Sequence, residues 1–217
     1  FHAAALKRVP LVEQNPTEAI LTNIIGTKNI AKASKDFSCK VMVLISSDKA
    51  VYPSSIMGQT KRIAESYCQS LGLSNIDEKN TGTNFIIVRF GNVLGSTGSV
   101  VPLFQRQITM GGPITVTHPE VTRYFMTSRE AVRLVLHAST LQKKVKNSDR
   151  IFILDMGEPI KIQDLARQLI RMEGLQPDVD IKINFTGLRK GEKIHESLFY
   201  EEEILMPTEI DGIKEAK

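Results

Sequence analysis

With 217 residues, 41% of them hydrophobic and 24% charged, the chain has the composition of a globular protein of one large domain or one and a half small ones. No apolar run approaches the ~20 residues of a membrane helix, and the start Phe1-His2-Ala3-Ala4-Ala5 lacks the basic and apolar regions of a signal peptide. A net charge of +4 suits an anionic ligand, but the tightest basic group, Lys143-Lys144-Val145-Lys146, reads as a solvated turn, which argues against nucleic acid.

The opening residues Phe1 to Ala5 look like the tail of a strand and the turn after it. Asn15-Pro16-Thr17-Glu18-Ala19 is a helix start, with Asn15 as N-cap and Pro16 at the first helical position. Ile20, Ile24, Thr27 and Ile30 or Ala31 keep helical spacing to about Lys35. A buried strand over Val41–Ile45 and a helix over Ile56–Leu71 follow, then a polar loop over Leu73–Thr83. Asn84 to Phe90 is a nearly continuous apolar strand of the kind covered on both faces. Strands alternating with helices in this way predict βαβ units and a parallel sheet.

After Phe90 the rhythm changes. A glycine-rich turn over Gly91–Ser99 leads to a short helix near Pro102–Met110, and short strands are expected at Ile114–Thr117 and Thr122–Met126. Ser128 is the expected cap of a helix through Ala138, with Glu130 in its first turn. A strand at Ile151–Leu154, a helix at Ile162–Met172 with Leu165, Leu169 and Ile170 on its apolar side, and a strand at Ile181–Phe185 complete the pattern. From Tyr200 onward the chain reads as a charged tail. Cys39 and Cys68 have no metal-ligand spacing and read as structural thiols of a reducing compartment; the histidines likewise predict no metal.

The chemistry concentrates in two short runs. Ser46-Ser47-Asp48-Lys49 follows the strand Val41–Ile45 directly, and the carboxyl ends of strands are where open α/β sheets bind ligands. In Met57-Gly58-Gln59-Thr60-Lys61, helical spacing puts Met57 and Lys61 on one face. Two lysines, a carboxylate and a hydroxyl then converge on one cleft. Taken singly these residues are ordinary: Ser-Ser-Asp is turn chemistry, Met57 a core filler and Lys61 a solvated helix residue. A nucleotide-binding fold of this kind also starts with a glycine-rich turn under the pyrophosphate, and none precedes the first helix here.

In sequence, the runs FHAAALKRVPLVE, TNIIGTKNI, SSDKAV, MGQTKR, VRFGNVLGSTGSVVPLFQRQI, GGPITVT, TRYFMT and FTGLRKGEKIHESL occur in one order. With them the chain resembles the extended short-chain dehydrogenase/reductases, and within these the nucleotide-sugar 4,6-dehydratases of bacterial capsule, O-antigen and glycan synthesis. The resemblance runs from Phe1 to about Leu198. It implies a Rossmann-like doubly wound parallel sheet whose first strands and glycine-rich turn lie upstream, making this a C-terminal portion. Residues 1–92 would be the latter part of the NAD-binding domain, 93–199 mainly a small C-terminal α/β region binding the nucleotide-sugar, and 200–217 a tail.

What the family does is an internal redox dehydration with NAD as cofactor: hydride leaves C4, a base removes the C5 proton, the C6 hydroxyl departs with help from an acid, and hydride returns to C6. On this resemblance Asp48 is the acid, Lys49 the base and Ser47 the partner of the C4 oxygen. Lys61 anchors the nicotinamide ribose. A lysine base needs desolvation or a cationic neighbour to work near neutrality, and Lys61 is the expected neighbour. Met57 stands where the general Tyr-x-x-x-Lys pattern has tyrosine, a departure that resembles the membrane-associated UDP-N-acetylglucosamine 4,6-dehydratase branch. It leaves open which group deprotonates the C4 hydroxyl; Tyr52 is a weak candidate.

His2, Ala3, Ala4, Asn23 and Ser46 are the further residues that the resemblance puts at the cofactor. Lys7, Asn92, Arg123 and Arg189 fall to the substrate, the two arginines as diphosphate clamps, with Glu192 orienting Arg189. A UDP-sugar is the implied partner, with a homo-oligomer open. The implied location is the cytoplasm, at the cytoplasmic face of the inner membrane for the full-length protein, and this chain itself has no membrane contact. A 4-epimerase, a C5-inverting dehydratase and an inactive nucleotide-sugar-binding fragment remain as alternatives.

Overall fold

The computed structural model describes residues 1–73, 82–96, 98–141 and 149–217. Most of the expected loop after Leu73, the basic run Lys143-Lys144-Val145-Lys146 and Thr97 of the glycine-rich turn lie outside the described residues. In chain order the elements are α1 (Val9–Gln14), α2 (Pro16–Ala19), a π-helical stretch (Ile20–Ile25), α3 (Gly26–Asp36), β1 (Val41–Ile45), a 3-10 turn (Asp48–Ala50) and α4 (Ile56–Leu73). There follow β2 (Asn84–Arg89), β3 (Asn92–Val93), α5 (Val100–Thr109), β4 (Ile114–Val116), β5 (Thr122–Arg123), β6 (Phe125–Met126) and α6 (Ser128–Ala138). The last are β7 (Asp149–Leu154), β8 (Ile160–Lys161), α7 (Ile162–Met172), β9 (Ile183–Phe185), β10 (Leu205–Pro207) and β11 (Ile213–Ala216).

The main sheet has the order β1-β2-β7-β11-β10. β1, β2 and β7 run parallel, so each crossover carries helices back over the sheet. Phe85, Ile86, Ile87 and Val88 are all buried although neighbours point to opposite faces, so helices cover both sides of β2. This is the Rossmann-like α/β architecture expected from the alternating pattern. His2 adds one parallel bridge to Leu44 on the outer side of β1, which is the expected strand stub. A second core of Phe104, Ile108, Ile114, Val116, Val121, Ile162, Ala166, Ile170 and Ile181 joins α5 and α7 to the short strands.

Four local expectations are corrected. The long helix buries Ala19, Asn23, Thr27 and Ala31, while Ile20 and Ile30 are left about half exposed. Small and hydrogen-bonding residues form that inner face because α2 and α3 approach α4 closely and because Asn23 and Thr27 bond to neighbouring segments. The cap of α6 is Thr127, not Ser128: its hydroxyl accepts from Glu130 N, and Glu130 reaches back to Thr127 N at 2.8 Å, a reciprocal capping box. The expected strand over Thr122–Met126 is two, because Thr122–Arg123 pairs with β8 and Phe125–Met126 with β3.

The expected charged tail is a β hairpin of the main sheet. β11 pairs antiparallel with β7, and β10 pairs with β11. Its polar residues misled the pattern because Glu203 and Glu215 are spent on Arg89 and Arg150 rather than on solvent.

Candidate active site

β1 stops at Ile45, but its pairing toward β2 continues for three residues: Ser46 N donates to Val88 O and Asp48 N to Phe90 O. The chain then turns through Asp48–Ala50, with Ser47 as N-cap accepting from Lys49 N. This holds Asp48 wholly buried at the strand end. Its Oδ1 accepts from Ser47 Oγ at 2.8 Å and from Lys49 Nζ at 2.9 Å. Asp48 Oδ2, also buried, has no hydrogen-bond partner. Lys49 Nζ further reaches Asn92 Oδ1 at 3.4 Å and Glu196 Oε1 at 3.6 Å.

These neighbours decide the charge on Lys49. Burial pulls its ammonium toward neutrality, but the carboxylates of Asp48 and Glu196 together outweigh burial and hold its pKa above the ordinary lysine value. The cation that opposes them is Arg123. The expectation that Lys61 is the cationic neighbour of Lys49 is thereby corrected: Lys61 Nζ is turned back to donate to Ile45 O. Burial instead brings Lys61 itself down to about 8, against the raising influence of Glu65 and Cys68.

α4 brings Met57 and Lys61 to the same wall. Met57 is buried in a small cluster with Val12 and Ala19 and also lines the cavity. Gly58 is required by its position, since a Cβ there would lie 2.2 Å from Lys49 O. Behind the strand end, Ser46 Oγ donates to Glu65 Oε1, and Glu65 is forked by Arg89 at 2.9 Å through both Nε and Nη2. Arg89 Nη1 continues to both oxygens of Glu203. Ser46 is thus tied into a buried ionic network, although it also borders the cavity.

The cavity of about 670 Å³ is lined by Ala3, Lys7, Ser46, Ser47, Lys49, Met57, Lys61, Asn92, Arg123, Arg189 and Glu192 among others, so eleven of the residues singled out in the sequence meet in one place. Four do not line it. Asp48, wholly buried, meets the cavity only through Ser47 and Lys49, which line it and bond to its Oδ1. His2 binds Thr27 Oγ1 through Nε2 at 3.0 Å, and Ala4 faces solvent. Asn23 pins the loop over the cavity by pairing with both Leu6 N and Leu6 O, and its amide also donates to Thr60. Tyr52 is likewise absent from the lining: its hydroxyl accepts from Glu201 N at 2.9 Å and its ring packs edge-on against Tyr200.

Arg123 is not a free clamp. Nη1 donates to Thr122 O and Ile194 O, and Nη2 to Lys193 O and to Glu192 Oε1 at 3.1 Å. Glu192 also accepts from Thr117 Oγ1 and, against expectation, from the backbone N of Arg189 rather than from its guanidinium. Arg189 stays exposed on the rim, where Lys7 and Arg8 are too. Sequence reasoning missed Arg8, whose guanidinium lies so close to Gly98 that a Cβ there would be 2.3 Å from Nη2. It also missed Glu196, whose only signal was its place at the end of the RKGEKIHE run.

Chemically, the wall offers an ammonium and a hydroxyl, both hydrogen-bonded to one buried carboxylate, and a rim of cations for an anionic group. Among the described residues no cluster of His, Cys, Asp and Glu is arranged to hold a metal ion, and no helix is long and apolar enough to cross a membrane.

The sequence profile of the polysaccharide biosynthesis protein family matches residues 1–217. The capsular polysaccharide biosynthesis protein CapD of Staphylococcus aureus is 56% identical over 204 residues, 94% of this chain and 32% of its own length. A UDP-glucose 4-epimerase of Rickettsia bellii is 39% identical over 94% of this chain and 56% of its own. The chain therefore spans about a third to three fifths of the curated relatives it matches. Among solved structures, Pen from Bacillus thuringiensis is 38% identical with a TM-score of 0.87, covering all of this chain and 64% of that one.

Proposed function

The chain belongs to the polysaccharide biosynthesis protein family, and from that premise we propose that it carries the acid–base half of an NAD-dependent dehydration of a UDP-sugar, UDP-N-acetylglucosamine to its 4-keto-6-deoxy product, in the cytoplasm. The observation that carries this reading is the Asp48–Lys49 pair, hydrogen-bonded at 2.9 Å with Lys49 on the cavity wall, beside a methionine where a tyrosine would serve a plain dehydrogenase. Removal of water across C5 and C6 needs one group to take the C5 proton and another to give a proton to the C6 oxygen. Transfer of one proton from Lys49 Nζ to Asp48 Oδ1 along their hydrogen bond creates both at once, a neutral amine and a protonated acid. Ser47, bonded to the same carboxylate oxygen, is the group we assign to the C4 oxygen.

Ala3, Ser46, Met57 and Lys61 line one end of the cavity and fit a nicotinamide ribose, with the Lys61 ammonium as its hydrogen-bond donor. NAD, when bound, supplies a reversible acceptor for the C4 hydride. Lys7, Arg8 and Arg189 on the rim suit the sugar diphosphate, and Arg123 and Glu192 hold the loop that presents Arg189. The test uses the full-length protein with NAD and UDP-N-acetylglucosamine. NMR is expected to show a 4-keto-6-deoxy sugar, and Lys49→Ala is expected to abolish deuterium uptake at C5 from D2O. Undiminished uptake would remove Lys49 as base.

A second reading, C4 epimerisation, is favoured by the Rickettsia bellii relative named as a UDP-glucose 4-epimerase. Epimerisation gives the Asp48–Lys49 pair no task, and recovery of a C4 epimer alone would establish it over dehydration.

A further inference from the structure

Glu196 is a buried carboxylate whose cost the fold does not offset in the usual way. Its side chain is 4% exposed, its Oε2 has no hydrogen-bond partner, and its contacts are with charge: Lys49 Nζ at 3.6 Å from Oε1 and Lys193 Nζ at 3.6 Å from Oε2. Lys193 is fixed in turn by donating to Val51 O at 2.6 Å. Such a group is expensive to bury unless the charge itself is used. Within the proposed reaction it has a use. Once Asp48 holds a proton it no longer neutralises Lys49, so the ammonium that forms as Lys49 takes the C5 proton needs another anion. Among the described residues, Glu196 is the other carboxylate beside Lys49 Nζ.

We propose that Glu196 is the counter-ion of Lys49, a positioning residue that raises the proton affinity of this amine and neutralises the ammonium formed at the C5 step. The proposal rests on the dehydratase reading for the C5 step, and on the geometry alone for the pairing. The groups facing Lys49 are Asp48 and Glu196, which favour its ammonium, Arg123, which opposes it, and the uncharged Asn92; Lys193 faces Glu196 from the far side. In the step itself the C5–H bond breaks, its proton forms a bond to Lys49 Nζ, and the electron pair is held as the enolate of the C4 ketone while Asp48 is still protonated; the C5–C6 double bond then forms as the C6–O bond breaks and the Asp48 proton carries the hydroxyl off as water. Glu196 exchanges no proton. Its charge acts at 3.6 Å.

Two readouts in the full-length protein decide it. In the first, the Lys49 Nζ resonance is titrated in 15N-lysine-labelled protein without substrate, assigned by its loss in Lys49→Arg. Glu196→Gln is expected to move the Lys49 midpoint to lower pH by about one unit or more, and Glu196→Asp to leave most of it in place. In the second, the descending limb of kcat against pH, which reports loss of the one proton that Lys49 and Asp48 share, moves to lower pH in Glu196→Gln. There kcat at its plateau falls about 10–100-fold, the scale of an acid–base contribution, with KM nearly unchanged. An unmoved Lys49 midpoint in Glu196→Gln overturns the pairing whatever reaction the enzyme performs. An unmoved limb with only KM raised overturns the role in proton transfer. Should Glu196→Gln not fold, Glu196→Asp against Lys193→Met gives the same decision, because loss of Lys193 leaves Glu196 to Lys49 alone and is expected to raise the midpoint. Recovery of a C4 epimer in place of the dehydrated product overturns the reading of the function, while the titration still decides the pairing.

Discussion

At the scale of single residues, the site is governed by which buried charge has a partner. Lys49 has two carboxylates and stays protonated, whereas Lys61 has only a more distant one and burial prevails, bringing it to about 8. That difference has a sign that can be measured. Between about 8 and its ordinary 10.5, Lys61 carries a proton in the unfolded chain but not in the folded one, so stability rises as pH increases through this window. Lys61→Met removes the effect. Urea unfolding is therefore expected to show the native protein gaining about 2.4 kcal/mol on Lys61→Met between pH 7.5 and pH 10. Parallel pH slopes for the two proteins would refute the assignment of that proton to Lys61. Lys49, present in both, cancels.

At the scale of elements, the turn Asp48–Ala50 is positioned by what presses against it. α4 approaches so closely that Gly58 admits no side chain beside Lys49 O. From the other side Tyr200 donates to Ala50 O at 3.0 Å and Lys193 to Val51 O. In Gly58→Ala the contact is backbone, so either the turn or the helix must shift. The expected cost is about 1–3 kcal/mol of stability, with at least a tenfold lower kcat from displacement of Asp48 and Lys49. A crystal structure of the variant with the turn unmoved, and unchanged turnover, would contradict this. The same elements show how far sequence reading reaches. The strands Val41–Ile45 and Asn84–Arg89 were legible because strands covered on both faces must be apolar throughout. The inner face of the long helix was not, because Asn23 and Thr27 are buried by hydrogen bonds to residues far along the chain.

At the scale of the whole molecule, the C-terminal hairpin and the end of β1 are joined through one guanidinium. Arg89 is fully buried, forks Glu65 on α4 and binds Glu203 just before β10, with the Tyr200 ring 5.5 Å from it. Arg89→Met would take the cation from Glu203 and leave the fully buried Glu65, which holds Ser46, to Arg62 at 3.2 Å. The expected loss is about 3–5 kcal/mol in urea unfolding, much of it recovered when Glu65→Leu is added, because the pair removed together leaves no unpaired buried charge. A single variant as stable as the native protein would show that the network contributes nothing.

The sequence by itself determined the α/β class, the parallel strands and the run Ser46–Lys61 as a candidate site at a strand end, because periodicity and strand-end position are local properties of the chain. It also carried the family resemblance that the comparison confirmed. Only the tertiary structure decided what each charge faces: that Arg123 is spent on its own loop, that Lys61 is turned away from Lys49, that a charged segment closes the sheet, and that Glu196 stands beside the amine. The reason is physical. A buried charge takes its state from partners that the fold brings from distant parts of the chain, and sequence spacing does not record them.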